Sequence, residues 1–225
     1  MDFGFIDSLK KAKDRGRNPI IAEIKPFSPL HGDLLKGRDI EDILTAYQNA
    51  RAAAISYITA KEFKGDIATL KKICRDAELP VLRKDFIRDV GEIERSAEIG
   101  VSAVLLIARH LKDETSEFAD CCFEHGIEPL VEIHKPEDLE YAGNARAILI
   151  NNRDIDRMET DGGDVSVTAR LASKIKGFKV SGSGINSIAD LLFVLEYVDA
   201  ALIGTTFMMA ENTEEFVRSF VEAKK

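Results

Sequence analysis

Glu23 and Lys25 stand two residues apart in the stretch Ile20-Ile21-Ala22-Glu23-Ile24-Lys25, which breaks at Pro26 and Pro29. Side chains alternate between the faces of an extended strand, so both charges share a face with Ile21, and Ala22 and Ile24 point the other way. Charge is costly to bury unless it is paired or hydrogen-bonded, so such a strand carries either a structural ion pair or one wall of a polar site. Repetition favours the site. Lys84 ends the run from Pro80, Glu132 and His134 end the run from Ile127, and Asn151, Asn152 and Arg153 follow the run from Ala145. Ser181 and Ser183 close the run from Phe178, and Gly204, Thr205 and Thr206 close the run from Asp199. Lysines and carboxylates gathered in this way suit acid–base work, with an ammonium as acid or anion anchor and a carboxylate as base. A lysine so placed can equally form a Schiff base with a carbonyl substrate, and the residues alone leave both chemistries open. Asp85, next to Lys84, points away from it across the strand and reads as a structural partner.

The elements that would bring these ends together recur along the chain. Apolar runs at 19–25, 54–59, 80–84, 102–108, 127–134, 145–151, 178–181 and 199–204 read as strands. Helical patterns follow them at 39–51, 66–77, 90–99, 113–125, 136–142, 165–175, 187–195 and 213–223, the first capped by Asp39 with Ile40, Ile43, Leu44 and Tyr47 on one face. Residues 2–17 form a further amphipathic helix with Phe3, Ile6, Leu9 and Lys10 at helical spacing, able to cover one end of the core. Strict alternation of strand and helix implies a parallel sheet covered by helices, and near-continuous apolar strands imply burial on both faces. Eight such units in 225 residues fit a closed (β/α)8 TIM barrel better than an open doubly wound sheet, and no G-x-G-x-x-G follows any strand. The expectation is one barrel domain, 1–225, with residues 1–18 as a short N-terminal helical extension. The segment after the first strand, with Ser28, Pro29, His31 and Gly32, reads as a loop long enough to move.

In such barrels the active site lies at the C-terminal ends of the strands, where the collected residues stand. Gly184 and Gly204 fall at the seventh and eighth strands, the usual phosphate position, where glycine lets backbone N–H groups approach an anion. The net charge of −8 argues against general nucleic-acid binding but leaves room for an anionic small substrate at a local cluster of cations. No run of eighteen apolar residues suggests a membrane span, and Met1 to Lys13 lack the apolar core of a signal peptide. Cys74, Cys121 and Cys122 have no metal-ligand spacing and read as idle thiols of a reduced cytosolic protein. His31, His110, His125 and His134 form no metal set, and Arg109 reads as a solvated rim arginine.

Five stretches together resemble the indole-3-glycerol phosphate synthase family: Ile21-Ala22-Glu23-Ile24-Lys25 with Ser28-Pro29, Pro80-Val81-Leu82-Arg83-Lys84-Asp85-Phe86-Ile87, Leu130-Val131-Glu132-Ile133, Ile150-Asn151-Asn152-Arg153-Asp154 and Ser183-Gly184-Ile185. The likeness runs from about Pro19 to the C-terminus. It implies a (β/α)8 barrel of tryptophan biosynthesis that closes the indole ring of 1-(2-carboxyphenylamino)-1-deoxyribulose 5-phosphate with loss of carbon dioxide and water, using no metal and no organic cofactor. It implies Lys84 as general acid, Lys25 as holder of the substrate carboxylate, Glu132 as general base, and Glu23 and Asn151 as residues that position them. It implies polar contacts from Arg153 and Ser183, a phosphate site at Ser28, Gly184, Gly204 and Thr205, and an aromatic pocket at Pro29, Phe86 and Leu106. It implies a cytoplasmic monomer or weak oligomer, in contact with other enzymes of the pathway. Two departures stand out. The family usually has Glu-Ser-Gly after the seventh strand, where this chain has Gly182-Ser183-Gly184, and its N-terminal helices are longer. These keep two rivals in view: another phosphosugar barrel enzyme, isomerase or Schiff-base aldolase, and a phosphosugar-binding homologue without catalysis.

Overall fold

Eight short strands, rich in Val, Ile, Leu and Ala, close on one another in a parallel barrel. They are β1 (Ile20–Ile24), β2 (Ala54–Ile58), β3 (Val81–Lys84), β4 (Ala103–Ile107), β5 (Glu128–Ile133), β6 (Ala147–Asn151), β7 (Phe178–Gly182) and β8 (Ala200–Ile203). Each pairs with its neighbour in sequence, and β1 closes the ring on β8 with Ile20 opposite Ala201 and Ala22 opposite Ile203. A computed structural model describes residues 4–143, 145–154 and 163–224. It bears out the TIM barrel.

The alternation of side chains separates two apolar layers. Ile21, Leu82, Leu105, Ile107, Leu130, Leu149, Val180 and Leu202 fill the barrel. Ala22, Ile24, Val104, Leu106, Val131, Ile133 and Ile150 face outward into the layer beneath the helices. Those helices are α1 (Phe5–Asp14), α2 (Ile40–Asn49), α3 (Ile67–Asp76), α4 (Val90–Ile99), α5 (Ala108–Leu111), α6 (Thr115–Glu124), α7 (Ser166–Ala172), α8 (Ile188–Val194), α9 (Thr205–Met208) and α10 (Thr213–Glu222). Side chains start several of them: Asp66 accepts from Thr69 N at 2.8 Å, and Ser187 and Asp190 form a reciprocal capping box. Asp39 occupies the equivalent position before α2, but its side chain makes no cap bond; only its carbonyl is used, by Ile43 N.

The N-terminal helix closes the end of the barrel opposite the charged strand ends. Ala54, Ala103, Ala147 and Ala200 begin alternate strands, and these small residues make room for Phe5, Leu9 and Ala12 of α1. Ser8 Oγ ties the plug down by donating to Ala53 O at 2.6 Å. The buried face is thus Phe5, Leu9 and Ala12; Lys10 is exposed, and Phe3 lies outside the described residues. Other differences from the sequence expectation are local. The loop after β1 folds into a two-stranded ribbon, Phe27–Ser28 against Gly32–Asp33. The helix expected over 113–125 begins as a 3-10 turn, Lys112–Glu114, and the one over 136–142 is a 3-10 helix, Pro136–Tyr141. The short helices α5 and α9 were not expected.

Candidate active site

At the C-terminal ends of the strands, Glu23 bridges two lysines. Its Oε1 lies 3.8 Å from Lys25 Nζ and its Oε2 lies 3.7 Å from Lys84 Nζ. Glu23 and Lys25 are 3% exposed, so the bridge forms with almost no water around it, where charges interact strongly. The Lys25 ammonium also sits 5.8 Å from the Phe63 ring centroid. Glu132 lines the same cavity, with Oε1 accepting from Asn151 Nδ2 at 3.1 Å and Oε2 buried without a hydrogen-bond partner. Burial pushes the Glu132 carboxyl above its ordinary proton affinity, against the pull of Lys84, the Asn151 hydrogen bond, His110 and Arg109. One side of the cavity therefore carries ammonium groups and another a carboxyl inclined to take up a proton.

The cavity, partly open to solvent, brings together Glu23, Lys25, Lys84, Glu132, Asn151, Arg153, Ser183, Gly184, Gly204 and Thr205. Two glycines are dictated by contact. A Cβ on Gly204 would fall 2.2 Å from Glu23 Oε1, so the carboxylate takes its place only because residue 204 has no side chain. Gly184, at φ +69°, follows Ser183 at φ +65°, and this left-handed pair forms the turn that carries β7 over the cavity. Gly182 faces inward beside Leu149, whose Cδ1 lies 3.3 Å from where a Cβ would be.

The remaining expected residues lie elsewhere. Ser28 is fully buried at the base of the ribbon, its Oγ accepting from Leu30 N at 3.3 Å and His31 N at 3.4 Å; Pro29 is exposed on the ribbon turn. Phe86 packs at the mouth against Ile58, Ala60 and Phe63. Leu106 is not brought to the site. It points outward under the helices, and by strand alternation Leu105 and Ile107 take the inward positions.

Arg83 was not singled out in the sequence, and the supporting contacts of Asn152 and Arg109 were not legible there. Arg83, one residue before Lys84, faces outward and is 3% exposed; it holds Asp85 and Glu92, each at 2.8 Å, with Thr59 and Ser96. Asp85 also accepts from Phe86 N, which bears out its structural pairing. Asn152 donates to Ser181 Oγ and Ser183 O and accepts from Thr168, tying the β6 end to the β7 turn. Arg109 is not solvated: it is paired with Asp138 at 3.0 Å and Asp154 at 2.8 Å. Its guanidinium fork matches two carboxylates, which solvation would not outcompete.

The fold and this cluster place the chain in the (β/α)8 barrel class, with paired cations and a buried carboxyl beside a glycine-lined rim at β7 and β8. The family model of indole-3-glycerol phosphate synthase matches residues 2–220, and the chain belongs to that family. It is 68% identical over its whole length to the tryptophan biosynthesis protein TrpCD of Archaeoglobus fulgidus, of which it spans 41%. It is 54% identical to an indole-3-glycerol phosphate synthase of Pyrococcus furiosus, covering 99% of this chain and 98% of that one. In fold it is similar to a tryptophan synthase alpha chain of Legionella pneumophila, with a TM-score of 0.67 at 11% identity over 98% of this chain and 96% of that one. With the family goes its class, a carbon–carbon lyase of tryptophan biosynthesis acting on a small phosphosugar-type intermediate. Among the described residues no helix is long and apolar enough to cross a membrane.

Proposed function

We propose that this chain closes the indole ring of 1-(2-carboxyphenylamino)-1-deoxyribulose 5-phosphate, with Lys84 as acid and Glu132 as base. The observation that carries this reading is the pair of ammonium groups bridged by Glu23 beside a buried carboxyl with one unpartnered oxygen. The ring carbon bearing the carboxylate attacks the ketone; a carbon–carbon bond forms, and the carbonyl oxygen takes a proton from Lys84. An ammonium aimed at that oxygen is worth most where charge develops. The carboxylate, held by Lys25, leaves as carbon dioxide, and its bonding electrons restore the aromatic ring. The new hydroxyl then leaves as water on receiving a proton, while Glu132 takes the proton whose loss completes the indole. Arg153 and Ser183 make polar contacts, and Gly184, Gly204 and Thr205 receive the phosphate; Ser28, fully buried with its Oγ accepting from Leu30 N and His31 N, joins them only on a shift of the ribbon. Phe86 and Pro29 border the aromatic ring, with Ile107 in the inward position expected of Leu106. In the same reading the protein works in the cytoplasm as one barrel unit, monomeric or weakly associated; its free thiols at Cys74, Cys121 and Cys122 suit a reducing compartment.

The test is to mix the purified protein with that substrate in metal-free buffer and follow indole fluorescence, with Lys84→Ala alongside. Turnover by the parent, reduced roughly 10²–10³-fold in the variant, supports the reading. Covalent trapping of Lys84 by borohydride in the presence of substrate would replace the acid role with Schiff-base chemistry.

A further inference from the structure

Arg109 takes no part in the steps above, yet it sits within the architecture that presents Glu132. It lies in α5, just past the end of β4, with its side chain 14% exposed. Its guanidinium forks onto Asp138, with Nη2 to Oδ2 at 3.0 Å and Nε to Oδ1 at 3.3 Å, and donates through Nη1 to Asp154 Oδ1 at 2.8 Å. Asp138 also accepts the backbone N–H groups of His134 and Lys135, and Lys135 Nζ lies 3.2 Å from Asp154 Oδ2. One guanidinium thus joins the segments that follow β4, β5 and β6.

Asp154 closes the turn Asn151-Asn152-Arg153-Asp154. Within that turn, Arg153 N donates to Asn151 Oδ1 at 3.0 Å, which fixes the amide so that its Nδ2 meets Glu132 Oε1. The His134 ring Nδ1 lies 2.8 Å from Asn151 O and steadies the same residue from β5. The Asn151 amide occupies Oε1, so Oε2 is the Glu132 oxygen left for a substrate proton. We propose that Arg109 is a positioning residue which, by anchoring Asp154 and Asp138, holds the Asn151 amide on Glu132 and so fixes the orientation of the base. This rests on the reading of Glu132 as the base. The charged groups around Glu132 are Glu23 and Lys25 from β1, Lys84 from β3, Arg153 from the β6 turn, and Arg109 and His110 from the segment after β4. Lys84, His110 and Arg109 each oppose the burial that raises its proton affinity, so loss of the Arg109 charge moves that affinity further up.

Three variants test this: Arg109→Met, Arg109→Lys and Asp154→Asn. Two readouts apply, the titration of the Glu132 carboxyl carbon by NMR in ligand-free protein, identified with Glu132→Gln, and steady-state kinetics with the substrate named above. In Arg109→Met the Glu132 midpoint rises, and kcat falls about tenfold with KM within twofold, the signature of a misoriented catalytic group. Arg109→Lys keeps the charge but not the fork, so it restores the midpoint and only part of the rate. Asp154→Asn keeps the Arg109 charge but loosens the Asn151 hydrogen bond that opposes the burial of Glu132, so it lowers kcat and raises the midpoint by less than Arg109→Met. A folded Arg109→Met with its midpoint unmoved and kcat within twofold of the parent overturns the proposal, as does a rise in KM at constant kcat. Should Arg109→Met not fold, parental kcat in Asp154→Asn overturns it. The NMR titration does not depend on turnover. A parent that fails to make indole therefore refutes the reaction, while the midpoints still report on the link between Arg109 and Glu132.

Discussion

Replacing Gly204 with alanine places one methyl group against the centre of the site. The added Cβ would stand 2.2 Å from Glu23 Oε1 and 2.9 Å from its Cδ. Moving Oε1 from 2.2 Å out to ordinary contact at about 3.4 Å requires a retreat of about 1.2 Å. The backbone tolerates the change, because φ at Gly204 is −117°, outside the left-handed region. The colliding group is the end of a flexible side chain, so the fold survives and the site absorbs the strain. If that displacement lengthens both lysine contacts by about 1.2 Å, each ion pair weakens by roughly 1 kcal/mol at an effective dielectric near 20. Two pairs amount to about 2 kcal/mol, a factor of roughly 30 in rate if all of it is expressed in the transition state. Displacing catalytic groups by about 1 Å can cost 10²-fold, so the expected fall in kcat is roughly 30- to 100-fold. The assay is the indole fluorescence rate, with thermal unfolding as a control for the fold. The same substitution in a Glu23→Ala background should cost far less, because the 2.2 Å and 2.9 Å contacts have gone and only the 3.2 Å approach to Cβ of residue 23 remains. A kcat within threefold of the parent would refute the argument, and so would an equal loss in both backgrounds.

Other outcomes follow from the same geometry. Burial raises the proton affinity of Glu132, so the folded state keeps its proton to higher pH than the unfolded chain, and that contribution to stability is lost as pH rises through the folded value. Glu132→Gln removes the loss: it should unfold at a higher temperature than the parent at pH 8, match it at pH 4, and lose roughly 10²-fold or more in kcat. A parent that is the more stable at pH 8 contradicts this. Arg83→Met leaves Asp85 and Glu92 without their cation; with those carboxylates 17% and 26% exposed, the cost should be near the low end for a buried pair, about 3 kcal/mol, lowering the midpoint by roughly 6–12 °C. The kcat of its folded fraction should change far less, because Lys84 faces the opposite side of β3.

The barrel was legible because short apolar runs recur in strict alternation with segments long enough to show an amphipathic helical face. The charged strand ends were legible because a charge two residues from an inward isoleucine has to share its direction; Glu23 and Lys25 behave in this way. Leu106 was placed by the family resemblance, and alternation offered no check on it, because a run such as Ala103–Ile107 is apolar on both faces and does not reveal which residues look inward. Helix α9 and the ribbon at Phe27–Ser28 are too short to leave a periodic trace. Arg109 looked like a surface charge because its partners, Asp138 and Asp154, are 29 and 45 residues away in the chain. The contact between Gly204 and Glu23 likewise joins the first strand to the turn after the last, which only barrel closure brings together.

Arg83, Lys84 and Asp85 are consecutive, yet they belong to different faces of the sheet. The outer two hold β3 to α4 and to the β2 loop, while the middle one looks into the cavity. A saturation scan across these codons should therefore yield alternating phenotypes, proteins that melt early and proteins that are sound but inert. Deleting or inserting a single residue upstream in the strand would exchange the two sets of side chains and abolish both properties at once. Substitution can thus explore new chemistry at position 84 without loosening the scaffold, whereas changes of length there are closed to it.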